Sequence, residues 1–135
     1  MDQILKDKVA IITGGSSGMG RSGVELFSAA GCCSIIADIN DEEGHKIKEN
    51  LNENNMKADF IYTDVTDSEN VQSTVNQVIK KYGRIDILYH NAVDVPLVNN
   101  HDSRITELPE EIWHKINKIV LDGAFFCCKY VGQKM

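Results

Sequence analysis

Thr13-Gly-Gly-Ser-Ser-Gly-Met-Gly20 lies between an apolar run, Val9-Ala-Ile-Ile12, and a helical pattern carried by Gly20, Gly23, Val24, Phe27 and Ala30. That placement predicts a turn from a buried strand into a helix, at the start of a βαβ unit. Each glycine has a task there. Gly14 lets the chain leave the strand sharply, Gly18 lets backbone approach a phosphate, and Gly20 lets the helix lie close to the sheet. The helix start offers unpaired N–H groups and a positive dipole end to an anion. Ser16 and Ser17 add hydroxyl donors. Glycines alone would mark only a tight turn; their place between strand and helix favours a phosphate cradle.

Outward from this turn, short apolar runs alternate with helical patterns. Gly31 stops the first helix, and Ser34-Ile-Ile-Ala37 is a second strand closed by Asp38. A polar helix starts near Asn40 or Asp41, with Glu42 and Glu43 at its positive end and Ile47 and Leu51 facing inward. Asp59-Phe-Ile-Tyr62 is the third strand. Thr66-Asp-Ser-Glu69 reads as a capping box opening a helix whose buried stripe is Val71, Val75, Val78 and Tyr82. Ile85-Asp-Ile-Leu-Tyr89 is the fourth strand. A polar loop with Asn99, Asn100, His101, Asp102 and Ser103 leads to Leu108-Pro109, where proline can begin a helix. That last helix is expected to place Trp113, Ile116, Val120, Gly123 and Cys127 on one face. The βαβαβαβα order predicts an α/β fold: a doubly wound parallel sheet of Rossmann type, partial, with helices on both faces. Residues 1–135 are expected to form one dinucleotide-binding domain, incomplete at its catalytic half.

Asp38 decides the ligand. It ends the second strand, 18 residues after Gly20, where a carboxylate can accept both hydroxyls of an adenosine ribose. The same charge repels a 2′-phosphate, and neither Ser17 nor Ile39 is basic, so NAD is expected over NADP. A P-loop is the rival. Gly15-Ser-Ser-Gly-Met-Gly-Arg21-Ser22 nearly fits it, but Arg21 stands where a compact lysine charge must reach the phosphates.

With 20 acidic and 14 basic residues among 135, the net charge of −6 argues against nucleic acid or an anionic membrane as partner. No apolar run approaches the ~20 residues of a membrane span, and the first residues lack signal-peptide order. The cysteines form two adjacent pairs, Cys32–Cys33 and Cys127–Cys128, a spacing that suits neither a disulfide framework nor a zinc site. Buried or half-buried thiols in a reducing cytoplasm are expected, with no metal.

Taken together, these residues resemble the short-chain dehydrogenase/reductase family over the whole chain. Thr13-Gly14-x-x-x-Gly18-x-Gly20 matches the family's cofactor motif. Asp64–Val65 matches its adenine-contacting Asp-Val pair, and His90–Asn91–Ala92 matches most of its Asn-Asn-Ala-Gly motif. The final helix aligns through Trp113, Gly123, Phe125, Lys129 and Met135. The resemblance implies strand order 3-2-1-4, a homo-oligomer, and hydride transfer between NAD and a small-molecule alcohol/carbonyl pair. It also implies that Met19 offers its N–H to the pyrophosphate and that Ile39 flanks the adenine. On physical grounds Asp64 can equally be an N-cap or turn residue, and Asn91 can tie strands together instead of touching cofactor.

The departures are specific. The family's catalytic Ser and Tyr-x-x-x-Lys fall beyond Met135, and Tyr62, Tyr82 and Tyr89 have no lysine at the required spacing; Tyr130-Val-Gly-Gln-Lys134 has the spacing but lies in the last helix, ahead of the position of the family's pair. Val120 stands where the family has a catalytic Asn, with Asn117 one turn too early. Val93 replaces the last glycine of the Asn-Ala-Gly motif. These leave two readings open: the cofactor-binding portion of an oxidoreductase, inactive by itself, or a dinucleotide-binding module without catalysis. A stop after the last helix is also expected to leave the fourth strand's edge open and the piece marginal or self-associating. His90 is read as either a proton shuttle or a histidine bonded locally. His101 and Asp102 read as solvated loop, His45 and His114 as helix surface.

Overall fold

The computed structural model describes residues 2–135; Met1 lies outside them. Four strands form one parallel sheet in the order β3-β2-β1-β4, as expected: β1 Val9–Thr13, β2 Cys33–Asp38, β3 Ala58–Tyr62 and β4 Ile87–His90. Between them run α1 Gly18–Ala29, α2 Asp41–Glu53 and α3 Ser68–Tyr82. After β4 come α4 Val95–Asn100, α5 Glu110–Asn117, a π-helical segment Lys118–Asp122 and α6 Gly123–Gly132.

The strands are apolar on both faces because both faces are covered. Ala10, Ile12 and Ile36 pack with Val24, Ile47, Leu51 and Phe60 on the side of α1 and α2. Ile11, Ile35 and Ala37 pack with Val75, Val78 and Val131 on the side of α3 and α6. Strands β1 and β2 are buried almost throughout, whereas every residue of the edge strand β4 is half-buried. Among the described residues no helix is long and apolar enough to cross a membrane. All four cysteines are free; Cys32 and Cys127 are buried and Cys128 is exposed, unlike the buried thiols expected there. Burial pushes the thiols of Cys32 and Cys127 up to about 11 and about 12 respectively.

Three local expectations fail. The cap of α3 is Asp67, whose carboxylate accepts from the N–H groups of Glu69 and Asn70; Thr66 instead bonds backward to Asp64. Asp and Thr are both good caps, and adjacent candidates differ only by which lies at the helix start. Part of the polar loop is helical: Asn99 and Asn100 end α4, which Asp94 caps and Pro96 helps begin. In the last helix the buried stripe is Ile112, Gly123, Cys127 and Val131, while Trp113 and Val120 are exposed. Ile119-Val-Leu121 is apolar throughout, so its periodicity cannot choose a face, and the wider π turn falls on these residues.

Candidate functional site

The strand register puts Thr13, Ala37 and His90 side by side at the C-terminal edge of the sheet, with Asp38 one residue beyond Ala37. In open parallel sheets this edge, beside a strand-order reversal, is where a crevice forms. The glycine turn sits above it. Gly14 has φ +64° and Gly18 φ +52°, conformations that disfavour a side chain, and the space beside Gly18 where a Cβ would stand is open. A Cβ on Gly20 would run into the Gly14 carbonyl and the Asn91 amide. Gly20 therefore brings α1 close to its own turn and to the end of β4, rather than to the sheet surface.

Asp38 holds the turn as well as facing it. Its carboxylate accepts from Ser16 N–H at 3.0 Å and Asn40 N–H at 2.9 Å. Gly14 N–H donates to Ala37 carbonyl at 2.9 Å, so β2 grips the turn at two points. Ser16 is buried, and its contribution to this geometry is its backbone N–H. Ser17 is exposed at the N-cap of α1 in extended conformation, yet its hydroxyl makes no capping bond. The first-turn N–H groups of a helix have no partner within the helix, so here they carry no side-chain cap.

Around the crevice the other sequence-chosen residues divide by exposure. Met19 and Ile39 are 75% and 63% exposed, two large apolar side chains uncovered on the same edge. Asp64 is a turn residue: one carboxylate oxygen accepts from Thr66 N–H and Thr66 hydroxyl. Val65 is 6% exposed and packs with Val71 and Cys127, so its side chain belongs to the core. Asn91 and Ala92 both donate their N–H groups to the Thr13 hydroxyl, at 2.9 Å and 3.1 Å. The Asn91 backbone thus ties β4 to β1, and its side-chain amide lies against Gly14 and Gly20.

Thr13 is the hub that sequence reasoning missed. It is 1% exposed, and its hydroxyl also lies 3.0 Å from His90 Nδ1. Thr13 heads the glycine motif, but its bonding role does not show there, because a threonine closing an apolar strand looks like any β-branched strand residue. Burial lowers the His90 pKa below its ordinary value. Arg21 is occupied, its guanidinium 2.9 Å from the Glu25 carboxylate one turn along α1. Val93 does not take a positive φ, and Val120 lies exposed in the π segment. Asn117 donates its side-chain amide to the Trp113 carbonyl at 2.9 Å. Among the described residues no three His, Cys, Asp or Glu groups converge as metal ligands.

The model of the short chain dehydrogenase family matches residues 8–135. The chain belongs to the short-chain dehydrogenase family. It is 33% identical to an uncharacterized oxidoreductase of Thermotoga maritima over 98% of this chain and 50% of that one. An NAD-dependent glycerol dehydrogenase of Listeria innocua is 34% identical over 97% of this chain and 48% of its own. The crystal structure of gox2181 superposes with a TM-score of 0.89 at 30% identity, over 98% of this chain and 50% of that one. This short-chain dehydrogenase chain therefore spans about half the length of the relatives it matches.

Proposed function

We propose that the chain binds NAD at the Thr13–Gly20 turn, as the cofactor-binding portion of an oxidoreductase acting on an alcohol/carbonyl pair. The observation that carries this is Asp38: a carboxylate at the end of β2, fixed 3.0 Å from the Ser16 N–H, with no basic side chain among the described residues in ion-pair range. A nearby cation would be needed to hold a 2′-phosphate; Arg21, next to the glycine turn, is paired with Glu25, Lys46 with Glu42 and Glu43, and Lys48 with Asp59. The residues fit the group. Positive φ at Gly14 and Gly18 and the open space at Gly18 leave room for a pyrophosphate. The uncapped α1 start, including the Met19 N–H, supplies donors. Asp38 would accept from the ribose hydroxyls, while Ile39 and Asp64 would border the adenine and Asn91–Ala92 the inner end of the cleft.

When bound, the nicotinamide supplies the acceptor or donor of hydride. The described residues bind and orient it; the proton relay that completes alcohol oxidation would come from outside them, in the half of the relatives this chain does not match. The chain alone is expected to bind without turning over substrate. Exposed Trp113, Leu121 and Phe125 support association between copies. A cytoplasmic setting is in keeping with the free thiols.

Calorimetric titration with NAD, NADP and ATP tests the cofactor directly. NAD is expected to bind at least tenfold more tightly than NADP, and ATP more weakly than either; a preference for ATP overturns the proposal. Asp38→Ala should weaken NAD more than NADP. Equal loss would mean that Asp38 supports the turn without reading the ribose. A second reading, a binding module without catalysis, rests on Val93 and Val120. It gains if the intact protein binds NAD and yet reduces none of it with a panel of alcohols.

A further inference from the structure

The Thr13 hydroxyl has a fixed hydrogen-bond ledger. A hydroxyl has one hydrogen and two lone pairs. Backbone N–H groups can only donate, so Asn91 and Ala92 occupy both lone pairs, at 2.9 Å and 3.1 Å. The Thr13 hydrogen is left for His90 Nδ1 at 3.0 Å, and Thr13 is too deeply buried for water to substitute. His90 Nδ1 must therefore present a lone pair, which puts its proton on Nε2 in a neutral ring. Adding a proton at Nδ1 sets two donors face to face, and one of the three bonds at Thr13 has to break.

What those bonds hold is the cradle. Thr13 immediately precedes Gly14, and the Ala92 and Asn91 atoms lie where a Cβ on Gly14 would sit, at 3.0 Å to 3.3 Å. We propose that neutral His90 is a positioning residue that locks the glycine turn to the end of β4, and that protonating it loosens the turn and weakens dinucleotide binding. The groups around the ring are few. His90 and Leu88 share one face of β4, where Cys127 and Tyr130 of α6 pack; β1 presents the uncharged Thr13. Asp94, beyond the strand end, has its carboxylate engaged by Leu97 N–H. Lys118, Asp122 and Lys129 are exposed. Burial, with no charged neighbour contributing, already disfavours the charged ring.

The inference rests on NAD as the ligand, so the experiment separates the two. Nitrogen-15 spectra of the histidine rings in the intact protein should show the Nε2–H tautomer of His90 at pH 8. On acidification the Asn91 and Ala92 amides should exchange about tenfold faster in step with His90 protonation, the loss of one hydrogen bond. Over the same range the NAD dissociation constant should rise about tenfold, while His90→Asn, whose amide oxygen accepts from Thr13 but does not titrate, stays within about twofold of its own value at pH 8. An Nδ1–H tautomer, unmoved amides, identical pH profiles in the two proteins, or a ring that stays neutral until global unfolding would each overturn the proposal. Absence of NAD binding at pH 8 would instead remove the cofactor assignment, leaving the ring and amide signals to decide whether His90 locks the turn.

Discussion

Two carboxylates, Asp38 and Asp59, stand at opposite ends of the same parallel sheet in contrasting company. Asp59, near the start of β3, is held by Lys81 at 2.6 Å, Tyr82 at 2.9 Å and Lys48 at 3.0 Å. Burial opposes its ionisation, but those bonds outweigh it and hold its pKa well below the ordinary carboxylate value. Asp38, at the end of β2, accepts only backbone N–H groups. The helix starts differ likewise. Asn40 caps α2 and Asp67 caps α3 with side-chain oxygens, and both first turns carry acids; α1 has neither. One end of the sheet is neutralised within the fold, and the other keeps its charge and its donors unmatched. A ligand with both hydroxyls and phosphates completes the second end, as in the function proposed above.

The largest effect should come from Gly20. An alanine there meets the Gly14 carbonyl, which is backbone and cannot swing aside. Overpacking of this kind costs about 3 kcal/mol, and the turn must distort. Gly20→Ala should abolish measurable NAD binding and lower the melting temperature, whereas Gly132→Ala, at a glycine with open space around it, should change neither. Next comes Asp38→Asn, which keeps an acceptor for Ser16 N–H but loses the charge. NAD affinity should fall about thirtyfold, roughly 2 kcal/mol for charge-assisted bonds, with little change in thermal stability. A matched loss of stability would mean that Asp38 is as structural as Asp59.

Much of this contrast was legible in the sequence and some was not. The parallel sheet followed from near-continuous apolar runs in a βαβ alternation, its strand order from the family resemblance, and the glycine turn from the spacing of its glycines. Asp38 was legible by its position after a strand. Asp59 was not: its partners lie 11 to 23 positions away on α2 and α3, and its value comes from tertiary closure. Thr13 was hidden for the same reason, since the N–H groups it accepts are nearly eighty residues distant. The face of the last helix was misjudged because three apolar residues in a row, Ile119, Val120 and Leu121, leave the period undecided.

Asp59→Asn should invert the pattern expected at Asp38. Removing the charge leaves Lys48 and Lys81 without their carboxylate, at a cost of about 2 kcal/mol in unfolding free energy, while NAD affinity holds. The pH dependence has a definite sign. Because the folded pKa is depressed, the stabilisation is fully present above the unfolded carboxylate value and is lost as pH falls toward the lower folded value. Wild type should therefore lose stability on acidification below about pH 4. In Asp59→Asn that acid-dependent loss should be shallower. Equal acid slopes in urea titrations would show that other carboxylates govern the limb.

The smallest effect separates stability from function most directly. Ser17 sits at the N-cap of α1 in extended conformation without making a capping bond. Aspartate at this position can accept from the first-turn N–H groups, as Asp67 does on α3, and its charge suits the helix dipole. Ser17→Asp should thus raise unfolding free energy by about 1 kcal/mol, a few degrees in melting temperature for a chain of this size. The same carboxylate would occupy the donors that the pyrophosphate needs and repel its charge, so NAD affinity should drop by at least about tenfold. A variant that is stabler and binds more weakly would show that α1 is left uncapped for its ligand. One that is stabler and binds NAD undiminished would place the phosphates away from the α1 start, and the cradle at Gly14–Gly20 would lose its assignment.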